Sequence, residues 1–175
     1  MQHFGYAKES GIPYDMAFTK SKYIGRTFIQ NTQDTRRELV GLKLNPIKAT
    51  VQGKKIVLID DSIVRGTTIT KIIMALRKAG AKEVHLRIAA PAFMDVCYFG
   101  TDIDNKEKLI TYNRSIEDVR KMIGADSLEY LSLDSLKEIT KDCHISSLCT
   151  GCFSGKYPVD VPKEIRKDTF EEIKF

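Results

Sequence analysis

The sequence has 175 residues, which is about the size of one domain. Hydrophobic residues make up 42% and charged residues 29%, an ordinary globular composition that excludes collagenous, disordered and low-complexity chains. No apolar run approaches the length of about 20 residues that a membrane-spanning helix needs, and the N-terminus lacks the apolar stretch of a secretion signal. We therefore expect a cytoplasmic protein with a single core, no membrane contact and reduced cysteines.

The net charge of +5 is concentrated in one segment. Between residues 19 and 50 seven cations stand against two acids, so this segment carries the whole excess and the remainder is neutral. A local excess of cations suits a polyanion, either nucleic acid or a phosphorylated small molecule. The alternative is an ordinary solvated surface segment. The cations are Lys20, Lys22, Arg26, Arg36, Arg37, Lys43 and Lys48.

A strand, a loop, a helix and a second strand are predicted between residues 55 and 91. Residues 56–59 are all apolar and rich in β-branched side chains, which predicts a central parallel strand buried on both faces. From Thr68 onward apolar residues recur with helical spacing, and Gly80 stands where a C-cap is expected. Residues 84–90 form the next strand, which Pro91 ends. This βαβ unit predicts an α/β fold with a parallel sheet.

Two further helices are predicted downstream. Ser115 is expected to cap the first of them, with Asp118 three residues later and Gly124 closing the helix. Ser132 or Asp134 is expected to cap another short helix that runs through residue 139. Residues 163–175 also have helical spacing, but no partner for that helix is evident. Residues 1–160 are therefore expected to form one domain, followed by a C-terminal tail at 161–175.

The turn between the first predicted strand and helix carries the most chemistry, with the sequence DDSIVRGTT at residues 60–68. In an open parallel sheet, ligands bind at the carboxyl ends of the strands. The first backbone N–H groups of the following helix are unpaired donors, so the turn predicts a phosphate site, and Gly66 allows close backbone approach. The hydroxyl groups of Ser62, Thr67 and Thr68 add further donors.

The two acids that close the strand indicate a second part of the same ligand. Asp60 and Asp61 would repel a phosphate, whereas sugar hydroxyls, or a divalent cation shared with a diphosphate, would suit them. The implied ligand is a sugar phosphate with Mg²⁺. In the alternative interpretation Asp61 is only an N-cap and the two threonines only a turn. The position of the turn, after an apolar strand and before an amphipathic helix, favours the ligand site.

The segment VLIDDSIVRGTT resembles the phosphoribosyl diphosphate motif of type I phosphoribosyltransferases, in the form found in the amidophosphoribosyltransferases. The similarity extends upstream through SGIPYDMAFTKSKYIGRTFI and downstream through AGAKEVHLRIAAP, CYFGTDI, IGADSLEYLSL and CTGCFSGKYPV, over roughly residues 4–160. It implies a type I phosphoribosyltransferase-like parallel sheet flanked by helices. The implied reaction transfers ammonia from glutamine to phosphoribosyl diphosphate and gives 5-phosphoribosylamine and diphosphate, the first committed step of purine synthesis.

The resemblance also implies roles for individual residues. Residues 23–27 would lie in a loop that closes over the substrate, where Arg26 would neutralise the departing diphosphate. Val64 stands where purine-base transferases often have an acid, which agrees with an ammonia nucleophile that needs no general base. The implied catalytic residues are Arg26 and Thr27, the implied Mg²⁺ ligands are Asp60 and Asp61, and the implied substrate-binding residues are Asp60, Asp61, Ser62, Arg65, Gly66, Thr67 and Thr68.

The sequence departs from the family at its N-terminus. The family's enzymes carry an N-terminal glutaminase domain whose mature chain begins with a catalytic cysteine, whereas this sequence begins Met1-Gln2-His3 and its first cysteine is Cys97. The family's diphosphate-binding turn would also precede residue 1. We therefore expect a fragment with only the phosphoribosyl diphosphate-binding half, impaired or inactive in isolation and a homo-oligomer when intact.

Four cysteines are candidate metal ligands. Cys149 and Cys152 form a C-x-x-C motif, and Cys97 and Cys143 raise the count to four. Some amidophosphoribosyltransferases hold a [4Fe–4S] cluster, and the resemblance makes Cys97, Cys149 and Cys152 three of its ligands. The fourth ligand would lie upstream unless Cys143 replaces it. A Zn²⁺ site and buried free thiols are the alternatives.

A second functional class is a regulatory protein that senses phosphoribosyl diphosphate with this fold and binds nucleic acid through residues 19–50. Neither a helix-turn-helix nor an aromatic RNA-binding pattern supports it. A dehydrogenase and a P-loop nucleotidase are disfavoured, because the sequence has neither G-x-G-x-x-G after a strand nor G-x-x-x-x-G-K-[ST].

Overall fold

The computed structural model describes residues 2–20, 44–101, 103, 105–142, 145 and 148–161. No helix in these ranges is long and apolar enough to cross a membrane. In chain order the elements are α1 (Gln2–Ser10), β1 (Phe18–Lys20), β2 (Leu44–Pro46), α2 (Lys48–Val51), β3 (Lys55–Asp60), α3 (Thr67–Lys78), β4 (Glu83–Ile88), a 3-10 turn (Lys106–Lys108), α4 (Ile116–Ile123), β5 (Ser127–Tyr130), α5 (Leu133–Asp142) and α6 (Gly151–Ser154).

A parallel sheet in the order β3-β4-β5 forms the centre of the fold. Asp60 at the end of β3 pairs with Ile88 of β4, which pairs with Tyr130 of β5, so the three strands end at one edge. Helix α3 connects β3 to β4, and α4 connects β4 to β5. The predicted α/β fold, a parallel sheet flanked by helices, is confirmed.

One face of this sheet packs against α3 and α4. Along β4 the buried residues Val84, Leu86 and Ile88 alternate with half-buried polar ones, so the apolar side chains share the face toward the core. Burying one such side chain fully is worth about 1.5 to 3 kcal/mol. The helices contribute Ile69, Ile73 and Leu76 from α3 and Val119 and Ile123 from α4.

Strand β3 departs from its prediction. Residues 56–59 are half-buried, and in the described part of the chain β3 pairs with β4 alone. The prediction of a strand with a parallel neighbour is therefore confirmed, but the prediction of a central strand buried on both faces is wrong for this structure. An apolar run indicates that a strand is stable when other elements pack on its faces. It does not show which elements of the chain pack there or pair with its edges.

The helix termini follow the predicted caps. Ser115 Oγ accepts a hydrogen bond from Asp118 N at 3.1 Å, and an Asp118 carboxylate oxygen accepts one from Ser115 N at 3.0 Å, which completes a capping box on α4. Gly124 ends that helix with φ 76°. Of the two candidates for α5, Ser132 is the cap, because its Oγ accepts from Ser135 N at 3.0 Å. Local side-chain chemistry therefore determines where these helices begin.

Several short elements had no predicted counterpart, among them α1, the pair β1 and β2, and β5. β1 and β2 are antiparallel, with Lys20 opposite Leu44, so they join the chain on either side of residues 21–43. The strands β1, β2 and β5 have three or four residues each, which is too short to show a periodic pattern. Residues 162–175, including the helical spacing predicted from 163 onward, lie outside the described residues, and the boundary at 160 stays a prediction.

Candidate functional site

A cleft of about 410 Å³ lies at the carboxyl edge of the sheet, where β3 ends and α3 begins. The cleft is open to solvent and has room for an anion. With Asp61 exposed beside it, the structure brings together all the substrate-binding residues that the sequence predicted. The lining residues are Asp60, Ser62, Ile63, Val64, Arg65, Gly66, Thr67, Thr68 and Ile69.

The N-terminus of α3 forms one wall of this cleft. Gly66 precedes the helix with φ 75° and ψ −10°, in the left-handed region that favours glycine. No described side chain caps this terminus, whereas α4 has a complete capping box. The first N–H groups of α3 are therefore without a side-chain acceptor, and the helix dipole favours a negative charge beside them.

Two acids lie at the tip of β3, where Asp60 lines the cleft and Asp61 is exposed beside it. Asp60 Oδ1 accepts a hydrogen bond from Asp61 N at 3.0 Å, and Asp61 Oδ1 accepts one from Ser62 Oγ at 3.0 Å. Burial raises the pKa of Asp60 above its ordinary value of 3.8; the Asp61 N–H opposes this shift and the Asp61 charge adds to it. The ionised carboxylate is thus under-solvated, and a cation or hydroxyl donors would stabilise it.

The predicted catalytic residues Arg26 and Thr27 lie in residues 21–43, outside the described residues. The pair β1 and β2 holds the two ends of this segment together, and Ile47 N donates to Ala17 O at 2.8 Å just beyond them. Most of the predicted basic stretch falls in the same range. Its proposed contact with a polyanion therefore stays a prediction.

Residues 61–66, between β3 and α3, form a bend at the cleft. The sequence did not indicate which segment supports this bend. Ile110 N donates to Val64 O at 2.8 Å. The Ile110 side chain also lies against Gly66, because a Cβ added there would come within 2.2 Å of Ile110 Cδ1. Nothing in the sequence indicates this contact, since the two segments are far apart along the chain and Ile110 belongs to no motif.

Two of the predicted metal ligands border a second apolar cluster. Cys97 and Cys152 pack at the edge of buried Phe93, Ile103 and Leu109. Met94 N and Asp95 N both donate to the Cys152 carbonyl, at 2.9 and 3.0 Å, which ties the C-x-x-C segment to the chain before Cys97. Cys149 is exposed.

The environments of these two thiols differ. Burial acts to raise the pKa of Cys97, but the backbone N–H groups of residues 99–101 and the Thr101 hydroxyl outweigh it and hold the pKa below its ordinary value of 9.0. Burial raises the pKa of Cys152 to about 11. The described residues contain no group of three or more His, Cys, Asp or Glu that could hold a metal ion, and Cys143 lies outside them. A four-cysteine centre is therefore not assembled within the described ranges.

Comparison with known proteins supports the resemblance noted in the sequence. The amidophosphoribosyltransferase of Methanothermobacter thermautotrophicus is 49% identical over 161 residues, 92% of this chain and 34% of its own length. The chloroplastic amidophosphoribosyltransferase of Glycine max is 49% identical over 162 residues, 93% of this chain and 28% of its own length. Both alignments include nearly all of the present chain but about a third or less of the relative.

A solved structure agrees with these relatives. Glutamine phosphoribosylpyrophosphate (PRPP) amidotransferase from B. subtilis, complexed with ADP and GMP, superimposes with a TM-score of 0.78 at 44% identity, over 91% of this chain and 36% of that one. The family model for the phosphoribosyl transferase domain matches residues 5–96, which include β3, α3 and the cleft between them. This match covers more than half of the chain, and the chain therefore belongs to the phosphoribosyl transferase domain family.

Proposed function

We propose that this chain is the phosphoribosyl diphosphate-binding part of an amidophosphoribosyltransferase. The complete enzyme would transfer ammonia derived from glutamine to phosphoribosyl diphosphate and release 5-phosphoribosylamine and diphosphate. The cleft at residues 60–69 carries the proposal, because the uncapped N-terminus of α3 and the Asp60 carboxylate border one space of about 410 Å³, with Asp61 exposed beside it. The relatives that bear this name, at 49% identity, support it.

The start of α3 and the two acids at the tip of β3 suit the two ends of a phosphorylated sugar. The N–H groups at the start of α3, with the hydroxyls of Ser62, Thr67 and Thr68, would hold the 5′-phosphate. Asp60 and Asp61 would accept hydrogen bonds from the ribose hydroxyls. Hydrogen bonds to a charged group are worth about 1.5 to 3 kcal/mol each, so the carboxylates contribute strongly to affinity as well as to orientation.

The same two carboxylates fit a hard divalent cation, and Mg²⁺ would bind there. When bound, it would neutralise charge on the diphosphate. The site has an unneutralised negative charge for such a cation, since Asp60 is half-buried and no cation among the described residues pairs with it. A bound cation would therefore lower the pKa of Asp60 and keep it ionised.

Positioning and charge stabilisation would supply most of the rate enhancement. Arg26 and Thr27 would cover the departing diphosphate and help exclude water. Val64 lines the cleft and offers no proton acceptor, which suits a neutral amine nucleophile. One stabilising donor of this kind can be worth roughly 10²-fold in rate.

A [4Fe–4S] cluster held by Cys97, Cys149 and Cys152 is a finer part of the proposal. The amide groups around Cys97 favour the thiolate that such a centre requires. Thiolates are the right kind of ligand for such a cluster. The described residues, however, do not bring three potential ligands together. Cys143 or polypeptide outside this chain would have to complete the set, and no catalytic step depends on it.

The remaining parts of the proposal concern the complete protein. Its glutaminase activity would come from polypeptide outside this chain, and the intact enzyme would be a homo-oligomer. We propose a cytoplasmic location, although relatives such as that of Glycine max are named chloroplastic.

Calorimetric titration with phosphoribosyl diphosphate and Mg²⁺ tests the site. The double substitution Asp60→Asn/Asp61→Asn should weaken binding by about 100-fold, the loss of two charge-assisted contacts. Asp134→Asn is the matched control, because its side chain is 94% exposed and lies on α5. Equal affinity of the double variant and the wild type would contradict the proposal.

Labelled DNA and RNA, titrated at several salt concentrations, separate the enzyme from the nucleic-acid-binding alternative. No binding at low salt would exclude the regulator, whereas salt-dependent binding through residues 19–50 would favour it. If the isolated chain binds no phosphoribosyl diphosphate, the same titration on the complete protein decides whether the site or the missing polypeptide is responsible.

A further inference from the structure

We propose that Ile110 is a positioning residue for the phosphate-binding bend, acting through Gly66 and Val64 without touching the substrate. The inference rests on the proposed function of the cleft, because it names what determines the shape of that site. Its basis is a contact between two segments that are separated in the sequence by α3, β4 and the 3-10 turn.

The backbone of the bend depends on this contact. Between Asp61 and Gly66 the chain is neither helix nor strand, so no regular hydrogen-bond ladder fixes it. Ile110 N donates to Val64 O at 2.8 Å, in the middle of this stretch. The Ile110 carbonyl in turn accepts from Arg114 Nη1 at 3.2 Å. Among the described residues, this main-chain bond connects the bend to the segment that carries Ile110.

The side chain of Ile110 supports the bend at a second point. It is 5% exposed, and its Cδ1 lies so close to Gly66 that a Cβ there would come within 2.2 Å. The Gly66 carbonyl accepts from Thr70 N at 3.0 Å, which begins the hydrogen bonding of α3. Ile110 thus packs against the residue whose left-handed conformation orients the first N–H groups of the helix.

The segment that carries Ile110 is anchored on its other side. Leu109 is 1% exposed and belongs to the apolar cluster that Cys97 and Cys152 border. The Thr111 hydroxyl donates to the Phe93 carbonyl. Because close-packed interiors resist small displacements, an anchored segment fixes the position of the bend that it contacts.

The substitution Ile110→Val tests the proposal because it removes only Cδ1, the atom that faces Gly66. Ile123→Val is the matched control, since it deletes the same atom from a residue that is 1% exposed and packs in the main core. Inorganic phosphate and phosphoribosyl diphosphate with Mg²⁺ are titrated into both variants. Ile110→Val should weaken binding by about threefold to tenfold, and Ile123→Val by less than about twofold, at similar losses of thermal stability.

Amide chemical shifts of residues 62–68, recorded without ligand, supply a readout that a general loss of stability does not produce. They should move in Ile110→Val and stay in place in Ile123→Val. Ile110→Leu, which restores a δ carbon, should recover most of the affinity. Unchanged shifts together with unchanged affinity in Ile110→Val, or equal effects of the two valine variants, would overturn the proposal. If the shifts move in Ile110→Val but the wild-type chain binds neither anion, the positioning role is supported, and the titration of the complete protein described above decides the proposed function.

Discussion

The two ends of the parallel sheet treat their acidic residues in opposite ways. At the amino end, Asp126 accepts a hydrogen bond from Val84 N at 2.6 Å and pairs with Arg77 at the end of α3. At the carboxyl end, Asp60 and Asp61 lie side by side, and neither forms an ion pair with a described residue. Asp126 is thus neutralised by a cation of the fold, whereas Asp60 is partly buried without one, which reduces the stability of the folded state.

Two glycines, one at each end of the sheet, differ in what packs against them. Gly124 follows α4 with φ 76°, and an added Cβ there would meet nothing within 4 Å. Gly66 precedes α3 with nearly the same backbone, φ 75°, but it packs against Ile110. One glycine serves only the local turn, and the other serves both a turn and a tertiary contact.

The largest effect is expected from a comparison of Gly66→Ala with Gly124→Ala. Alanine at either position must adopt left-handed backbone, which costs about 1 to 2 kcal/mol. Only at Gly66 does the new methyl group collide with a buried side chain, and such overpacking costs about 1 to 3 kcal/mol more. Urea denaturation of both variants measures the difference. Equal losses of stability would show that the Ile110 side chain can move aside at little cost and that its contact with Gly66 does not constrain the bend.

A smaller loss is expected from Asp126→Asn at the amino end. The Val84 N–H, opposed by partial burial and reinforced by Arg77, holds the pKa of Asp126 below its ordinary value of 3.8. The stabilisation is therefore present above that value and is lost as the pH falls through the lower folded pKa. The substitution should cost about 1 to 2 kcal/mol at neutral pH, because the site is partly exposed.

Thermal melts of Asp126→Asn from neutral to acidic pH check this expectation. The difference between variant and wild type should shrink as the pH falls, while affinity for phosphoribosyl diphosphate stays within about twofold of the wild type. A marked loss of affinity at neutral pH would mean that Asp126 at the amino end affects the cleft at the carboxyl end, and would contradict the view that the two ends act independently.

The smallest effect, with the opposite sign, is expected from Asp60→Asn. Burial raises the pKa of Asp60, so the folded state loses stability as the pH rises from the ordinary value of 3.8 through the folded pKa. Asparagine keeps an oxygen for the Asp61 N–H but carries no charge. The variant should be more stable than the wild type by about 0.5 kcal/mol at neutral pH.

Melting temperatures measured without Mg²⁺ or substrate, at pH 7 and in acid, test this last expectation. The stabilisation should disappear in acid, where the wild-type carboxyl is protonated. A variant that is less stable than the wild type at pH 7 would contradict the comparison, because Asp60 would then stabilise the fold as Asp126 does.

Features that depend on neighbouring residues were predictable from the sequence. The capping box of Ser115 and Asp118 and the glycine that ends α4 are fixed within one or two turns of chain, and the structure has them where the pattern indicated. The cleft was predictable for the same reason, since all the residues that line it lie within one continuous stretch, 60–69. The short strand β5 was missed, because four residues carry too little periodicity.

The sequence determined the β3–turn–α3 unit, with the two carboxylates at the end of β3 and the bend before α3, because hydrogen bonds and side-chain spacing along a short stretch specify them. Only the tertiary structure decided that β3 has a single neighbour among the described strands, that Ile110 supports Gly66, and that Cys97 and Cys152 border one apolar cluster. These contacts join segments far apart in the chain. Close packing selects them by shape and volume, which leave no local pattern in the sequence.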